Sequence, residues 1–383
     1  MSEPLKIALI LETSGGGSGR HVLDLAKGLV QDGHSVTVVW APNRADADFV
    51  TALEQEQRIA AVPIAMKRSV GPKDMASLRD LRRCIEDHGP FDVIHGHSSK
   101  AGALVRLLPR GIAGARVYTP HAFRTMDPEL RPLPRRMYSM IERSLEKRGD
   151  RTIVVSNAEF KHAASIGYAP AGMTRVVNGA KTPGESGRSK ARDMMKLEAS
   201  DVAIGFVGRL EQQKDPVRFV QAITHAAQHV PNIKGVVIGD GSLRAEAEQK
   251  SCSETIRFLG WQDGPALMSG LEIFCMTSRY EAMPYTLLEA LHAGVPIITT
   301  DVGGAEETVD HGKSGYVLPL SSSPEYISGA LQDLAQQPKK REAFARASSR
   351  LAETRTIQVM VDETLAVYRT ALTERSVSRR SQV

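Results

Sequence analysis

The chain has 383 residues, of which 42% are hydrophobic and 24% are charged, and its formal net charge is +5. This length favours two domains over a single core, and no run of eighteen apolar residues occurs that would span a bilayer. The three cysteines lack zinc-finger or CxxC spacing, which is typical of reduced thiols. The first residues lack the pattern of a signal peptide. We therefore expect a cytoplasmic protein.

Strand-like apolar runs alternate with helical patterns along the chain, and this alternation indicates parallel α/β sheets. In chain order, the predicted strands are residues 6–11, 35–40, 92–95, 116–119, 152–156, 203–207, 235–238, 256–259, 273–276 and 296–299. Residues 178–190 are rich in Gly, Ser, Pro and charge, as in a linker. We predict one domain at residues 1–180, a second at 181–355, and a final segment at 356–383 with an amphipathic helix and a loose tail from Ser376.

A glycine-rich loop follows the first predicted strand. Gly16 and Gly17 lie just before a helical pattern, where backbone N–H groups can approach a phosphate or a sugar. The loop is not the GxGxxG of a nicotinamide-binding site, and no acidic residue ends the second predicted strand. These departures argue against an NAD-dependent enzyme.

Histidines follow two other predicted strands of the first half. His121 comes after the strand at 116–119, at the sheet edge where open α/β proteins bind ligands. His95 and His97 form a His-x-His pair, which leaves a metal site open as an alternative. Because no third ligand cluster accompanies the pair in the sequence, we expect structural hydrogen bonds there and no bound metal.

The first half also contains a basic stretch. Residues 100–151 hold 12 basic and 5 acidic residues, interspersed with Leu, Met and Ile. Such a mixture is typical of a surface that rests on anionic lipid, although an ordinary solvated helix face has the same composition. Aromatic residues make up only 5% of the chain and no nucleic-acid-binding motif occurs, so we expect no nucleic acid partner.

Two basic and two acidic residues give the second half its chemistry. Pro284 is suited to the first turn of a helix, which would place Glu281 in the loop before the helix and Glu289 inside it. Two carboxylates at this spacing can bind two hydroxyl-bearing parts of one elongated ligand. Arg209 and Lys214, from another loop, can neutralise phosphates between those parts. A sugar nucleotide has this layout of sugar, diphosphate and ribose.

Two further glycine turns follow strands of the second half. One begins at Gly239, and the other, Gly303-Gly304, precedes Glu307. Both are explained as turns, and both should face the same cleft.

Taken in order, these segments resemble glycosyltransferase family four, a group of retaining enzymes that use nucleotide sugars. The resemblance extends over nearly the whole chain, through the glycine loop with Gly-Arg-His-Val, Thr-Pro-His, Val-Ser-Asn-Ala-Glu, Gly-Arg-Leu-Glu-Gln-Gln-Lys, Gly-Asp-Gly, Phe-Leu-Gly-Trp, the Glu-x7-Glu segment, Leu-His-Ala-Gly-Val-Pro and Gly-Gly-Ala-Glu-Glu. It implies a GT-B fold: two facing, doubly wound Rossmann-like domains, an interdomain cleft, and a C-terminal helix that crosses back to the N-terminal domain.

The resemblance also implies a role for each candidate residue. Arg209 and Lys214 would bind the donor diphosphate, Glu281 the hydroxyls of the transferred sugar and Glu289 the ribose. The remaining members of the implied site are His121 beside the sugar, Gly16 and Gly17 near phosphate or acceptor, Gly239 on the donor side and Glu307 nearby. The chain departs from the family at Ala282, where glycine is common, and at Asn178-Gly-Ala-Lys, to which no role is carried over.

The implied activity is retaining, metal-independent transfer of a hexosyl residue from a nucleotide sugar. The donor would be a UDP-sugar rather than a GDP-sugar, and the acceptor a lipid-linked or saccharide molecule in cell-surface polysaccharide or glycolipid synthesis. No cofactor is expected. The basic stretch would place the protein peripherally at the inner face of the cytoplasmic membrane. The alternatives left open are a sugar-nucleotide epimerase on the same fold, a nicotinamide oxidoreductase, and a non-catalytic protein that binds nucleotide sugars.

Overall fold

The computed structural model describes residues 3–67, 71, 74–112, 114–182, 187–251 and 254–380. The chain forms two compact units, one of residues 1–178 and 357–383 and the other of residues 179–356. Cys84 and Cys275 are buried thiols outside any disulfide. Cys252 and part of the predicted linker, residues 183–186, lie outside the described residues.

The first unit is a parallel sheet with helices on both faces. Its strands are β1 (Lys6–Leu11), β2 (Ser35–Trp40), β3 (Ile59–Pro63), β4 (Val93–His97), β5 (Ala115–Thr119), β6 (Arg151–Val154) and β7 (Met173–Arg175), in the order β3-β2-β1-β4-β5-β6-β7. The helices that residues 1–178 contribute to this unit are α1 (Gly17–Gln31), α2 (Ala47–Glu54), α3 (Asp74–His88), α4 (Ser98–Leu107), α5 (Pro132–Glu146) and α6 (Asn157–Ser165).

The second unit repeats this plan. Its helices are α7 (Arg188–Met194), α8 (Pro216–His229), α9 (Arg244–Gln249), α10 (Gly264–Met268), α11 (Tyr285–His292), α12 (Ala305–Thr308), α13 (Pro324–Gln336) and α14 (Pro338–Ala352). Its strands are β8 (Val202–Val207), β9 (Ile233–Ile238), β10 (Ile256–Gly260), β11 (Ile273–Met276), β12 (Ile297–Thr300) and β13 (Gly315–Leu318), in the order β10-β9-β8-β11-β12-β13. Both sheets therefore have the 3-2-1-4-5 order of a Rossmann fold, with ligand sites expected beyond the carboxyl ends of the strands.

The chain returns to the first unit in its last helix, α15 (Ile357–Arg380). Met360, Val361 and Tyr368 join the core formed by the apolar stripe of α1 and by the central strands. The approach is close at Gly28, where a Cβ atom would lie 2.5 Å from Cγ2 of Val361. The prediction of a loose tail from Ser376 was wrong, because the helix continues to Arg380.

All ten predicted strands are present, with boundaries shifted by at most two residues. The sequence patterns missed β3, β7 and β13, each of which lies at the edge of its sheet. The strands at such edges are short or exposed, so they lack the continuous apolar run that marks a central strand. Among the described residues, none of the helices has both the length and the apolar character required to cross a membrane.

Candidate active site

In the second unit, the loops that follow β8 and β11 meet through an ion pair. Nζ of Lys214 lies 2.7 Å from Oε1 of Glu281, and both side chains are largely buried. Gln213 donates to the Tyr280 carbonyl at 3.1 Å and reaches Oε2 of Glu281 at 3.4 Å. The guanidinium of Arg209 is in turn 3.4 Å from Oε1 of Gln213. Of the five side chains predicted for the site in this half, Arg209, Lys214 and Glu281 are thereby linked.

Backbone contacts hold these two loops together. The N–H of Arg279 donates to the carbonyl of Gln213 at 2.8 Å, and the Thr277 hydroxyl donates to the carbonyl of Asp215 at 2.8 Å. Asp215 has a φ of +51° and accepts from the N–H of Arg218 as the N-cap of α8. The Lys214–Glu281 pair is thus fixed by the fold rather than by side-chain packing alone.

The segment that contains both acidic residues forms the loop before α11 and its first turns. Pro284 is the N-cap, and not a first-turn residue as predicted, because the helix begins at Tyr285. Glu281 lies in the loop, and Glu289 is the fifth residue of α11, as predicted, with 6% of its surface exposed. The turn after β12 rests on this loop, since a Cβ on Gly303 would lie 2.4 Å from the Glu281 carbonyl oxygen. Glu307 follows in α12, where it is buried.

The glycine turns have different local explanations. Gly239 follows β9 with a φ of +131°, and a Cβ there would lie 2.0 Å from the carbonyl oxygen of Gly208. Glycine is therefore required at position 239 by the contact between two loops, whether or not this residue also touches a ligand. Gly16 is the N-cap of α1 with a φ of +72°, Gly17 begins that helix, and the space where a Cβ of Gly16 would lie is open.

Histidines cluster near the carboxyl ends of the strands in the first unit, where His21, His95 and His97 are buried and His121 is half-buried. His95 bonds with the Tyr368 hydroxyl at 2.7 Å and with the Thr119 hydroxyl at 2.8 Å, which is the structural role we predicted for it. Nδ1 of His97 lies 3.1 Å from Nε2 of His121, and the two rings are stacked. His21, from α1, packs edge-on against His121 and bonds to the Asn178 side chain at 3.0 Å.

Burial keeps these histidines neutral. It lowers the pKa of His21 to about 4, although the hydrogen bond with Asn178 opposes the shift. Burial, reinforced by the neighbouring imidazoles, lowers the pKa of His95, His97 and His121 well below the ordinary value. The histidines of this unit are therefore uncharged at neutral pH, whereas the loops of the second unit carry the basic side chains of Arg209 and Lys214.

The structure brings three possible metal ligands together. One ring nitrogen each of His21, His97 and His121 lies within 4.8 Å of the others, so the group contains His97 of the His-x-His pair and two further histidines. The expectation of no bound metal stays a prediction. Neutral imidazole is a common ligand of zinc. The geometry also has a simpler explanation, since His97 and His121 are at hydrogen-bond distance from each other.

Sequence reasoning missed several residues at these loops. Gln213 joins Arg209 to Glu281, and its position between two predicted residues is the only signal in the sequence. His21 belongs to the Gly-Arg-His-Val motif, but no sequence pattern indicated a role for it. Glu159, the last residue of the Val-Ser-Asn-Ala-Glu motif, also had no predicted role. It is fully buried and accepts a hydrogen bond from the backbone N–H of Ala122, next to His121.

The fold and the two sets of loops define a class, the GT-B glycosyltransferases. A family model described as "Glycosyltransferase Family 4" matches residues 15–182, and one described as "Glycosyl transferases group 1" matches residues 188–350. The chain belongs to glycosyltransferase family 4 and is therefore a glycosyltransferase.

Two curated relatives illustrate the similarity. The chain is 25% identical over 295 residues to the UDP-Gal:alpha-D-GlcNAc-diphosphoundecaprenol alpha-1,3-galactosyltransferase of Escherichia coli, covering 73% of this chain and 76% of that protein. It is 38% identical over 128 residues to the Vi polysaccharide biosynthesis protein VipC/TviE of Salmonella typhi, covering 32% of this chain and 22% of that protein.

A solved structure shares the fold. The crystal structure of Anabaena HepE in complex with UDP and glucose superimposes with a TM-score of 0.80 at 20% identity, covering 95% of this chain and all of that one. At this identity the likeness concerns the fold alone.

Proposed function

We propose that this protein transfers a hexosyl residue from a UDP-sugar to a lipid-linked saccharide, with retention of the anomeric configuration and without a metal ion. The observation that carries the proposal is the Lys214–Glu281 pair, joined to Arg209 through Gln213, at the carboxyl ends of β8 and β11. Two facts about other proteins support the choice of substrates. The galactosyltransferase relative is named for a UDP donor and a diphosphoundecaprenol acceptor, and HepE was crystallised with UDP.

The charges of the second unit suit the departure of a nucleoside diphosphate. Negative charge develops on the diphosphate as the glycosidic bond breaks, and preorganised cations stabilise that charge by about 3–4 kcal/mol per group. In this proposal Arg209 and Lys214 supply the cations. Glu281, held by Lys214, accepts hydrogen bonds from the transferred sugar, and Glu289 accepts them from the ribose. Gly239 and Glu307 line the donor side.

In the first unit, the neutral His121 would contact the transferred sugar, and the open start of α1 at Gly16 and Gly17 would approach phosphate or acceptor. We assign no side chain as general base. The acceptor attacks on the face from which the diphosphate leaves, and a diphosphate oxygen takes up the acceptor proton. This route accounts for retention without a nucleophilic side chain.

A binding screen followed by a transfer assay tests the proposal. UDP-glucose, UDP-galactose, UDP-N-acetylglucosamine and GDP-mannose are compared for thermal stabilisation, since a ligand at 100 times its Kd adds about 2.7 kcal/mol. The stabilising donor is then incubated with and without an undecaprenyl-diphosphate-linked sugar, and NMR reports the anomeric configuration of the product. Donor conversion without acceptor would support an epimerase instead. Binding without any turnover would support a non-catalytic protein.

We further propose that α5 rests on an anionic membrane surface, which would bring the enzyme to a lipid-linked acceptor. Its outer face exposes Leu133 (78%), Met137 (48%) and Met140 (70%) in one stripe, and Arg136 and Arg143 are exposed beside it. A stripe of this kind inserts shallowly while the arginines contact anionic headgroups.

The inner face of α5 is anchored by charge, which keeps the apolar stripe outward. The guanidinium of Arg106 donates to Glu142 at 2.9 Å and to the Tyr168 hydroxyl at 2.8 Å, and all three side chains are buried. Co-sedimentation with phosphatidylglycerol-containing vesicles should fall on L133S/M140S and on R136A/R143A substitution. Met75→Ser, which changes an equally exposed methionine of α3, is the control. Equal binding to vesicles without anionic lipid would contradict this proposal.

A further inference from the structure

The backbone that carries His121 has an unusual conformation. His121 and Ala122 have φ angles of +51° and +82°, and both are residues with side chains. Two consecutive left-handed residues of this kind are unfavourable unless surrounding contacts hold them. The direction of the His121 side chain therefore depends on whatever fixes this turn.

One buried carboxylate makes that contact. Glu159 lies in α6 with none of its surface exposed. Its Oε1 accepts the N–H of Ala122 at 2.7 Å, and its Oε2 accepts the N–H of Val155 at 2.8 Å. The loop after β5 is thus connected to the loop after β6 through a single side chain.

Capping of α6 does not by itself account for this arrangement. Ser156 is the N-cap, and its hydroxyl accepts the N–H of Glu159 at 3.2 Å. In an ordinary capping box the glutamate would bond to the N–H of the cap residue, whereas here it bonds to Val155 and to Ala122, a residue of another loop. Burial raises the pKa of Glu159 to about 7, so the fold keeps a carboxylate in an unfavourable environment to make these two bonds.

We propose that Glu159 is a positioning residue for sugar transfer: its carboxylate fixes the Ala122 amide and thereby sets the orientation of the His121 side chain. The role rests on the proposed function, because His121 is a sugar contact only in that function. Glu159 contacts the backbone of the turn and acts on the reaction through His121.

The Glu159→Gln variant tests the role. A glutamine of the same shape offers one acceptor oxygen but presents its NH2 group to the other backbone N–H, so one of the two bonds is lost. We expect kcat to fall about 10- to 100-fold, as misplacement of a reacting group predicts, while the Kd for UDP stays within about twofold. Ser156→Ala is the matched control, because it removes the cap of α6 and leaves the carboxylate contact to Ala122. A similar fall of kcat in both variants would reduce Glu159 to a helix cap and overturn the proposal.

A second measurement does not depend on turnover. With ¹³C-labelled histidine, the ring signal of His121, assigned by its loss in His121→Asn, should shift or broaden in Glu159→Gln and stay in place in Ser156→Ala. An unchanged signal together with unchanged kcat would overturn the proposal. If the wild-type protein transfers no sugar, the proposed function fails, and the ring signal still decides whether Glu159 holds His121.

A rescue experiment separates positioning from general loss of structure. Glycine adopts a φ of +82° at no steric cost, so Ala122→Gly should make the turn less dependent on Glu159. The kcat loss caused by Glu159→Gln should therefore be smaller in the Ala122→Gly background than in the wild-type background. An equal loss in both backgrounds would contradict a role exerted through this turn.

Discussion

The two units share one strand order but carry opposite chemistry at the carboxyl ends of their strands. In the first unit, burial keeps His21, His97 and His121 neutral. In the second unit, Lys214 is paired with Glu281, and Arg209 reaches the same pair through Gln213. The same strand order thus presents neutral histidines in one unit and paired charged side chains in the other.

The difference shows that strand order fixes where loops converge, and that side chains decide what the loops bind. Neutral imidazoles suit hydroxyl groups, whereas paired cations suit a diphosphate. In the proposed function, substitutions in the two units should therefore change different quantities. Experiments on the kinetic constants and on the stability of each unit distinguish them, from the largest expected effect to the smallest.

Loss of the lysine in the second unit should give the largest effect. Lys214→Ala should lower kcat by about 10²- to 10³-fold at saturating donor, because the diphosphate loses a preorganised cation. Circular dichroism should show that the fold is retained. Lys313→Ala, which removes an exposed lysine paired with Asp310 in the same unit, is the control. Near-normal turnover of Lys214→Ala would refute the assignment.

The first unit should be the acid-sensitive one. Folding holds its histidines neutral, whereas an unfolded histidine titrates near pH 6.5, so the free energy of unfolding should fall as the pH drops from about 6.5 towards 4. His21, whose pKa is lowered to about 4, contributes about 3 kcal/mol to this loss. Glu159 opposes the trend, because its pKa is raised to about 7. The loss from the histidines should exceed this single opposing contribution.

The chain offers a separate reporter for each unit. Trp40 belongs to the first unit and Trp261 to the second, and the chain has 2 tryptophans in all. Urea titrations of Trp261→Phe and Trp40→Phe at pH 7.5 and 4.5 should show a larger loss for the signal of Trp40. A larger loss at Trp261 would contradict the comparison.

A smaller effect is expected at the ribose contact. Glu289→Gln should raise the KM for the donor about tenfold with kcat nearly unchanged, because a contact made equally in ground and transition states contributes to binding alone. Steady-state kinetics with the best donor of the screen measures this. Glu342→Gln, on the exposed face of α14, is the control. A fall in kcat without a change in KM would move Glu289 from binding to catalysis.

Metal removal should have the smallest effect. Dialysis against EDTA should change kcat less than about twofold, because Arg209 and Lys214 supply the positive charge in the proposed reaction. Loss of activity that one divalent metal restores would overturn this expectation. The metal site would then be expected at His21, His97 and His121, whose ring nitrogens lie close together.

The sequence predicted the central strands and the order of the loops, because buried parallel strands leave uninterrupted apolar runs. It did not predict β3, β7 and β13, which are edge strands that are short or partly exposed and so lack that run. For the candidate site, the sugar-nucleotide layout predicted that Arg209, Lys214 and Glu281 act together. The structure shows these side chains linked through Gln213, a contact that no local sequence pattern encodes. The packing of His21 against His121 joins residues 100 positions apart, and no local pattern encodes such a distance.

The return of α15 has a consequence for how the protein is made. The apolar stripe of α1 emerges early in synthesis, yet Met360, Val361 and Tyr368, which cover it, come from α15 and follow the whole second unit in the chain. Residues 179–356 are contiguous and can collapse as they leave the ribosome, whereas the core of the first unit is completed only after α15 has been synthesised. A ribosome that stops before Ile357 therefore releases a chain with an incomplete N-terminal core.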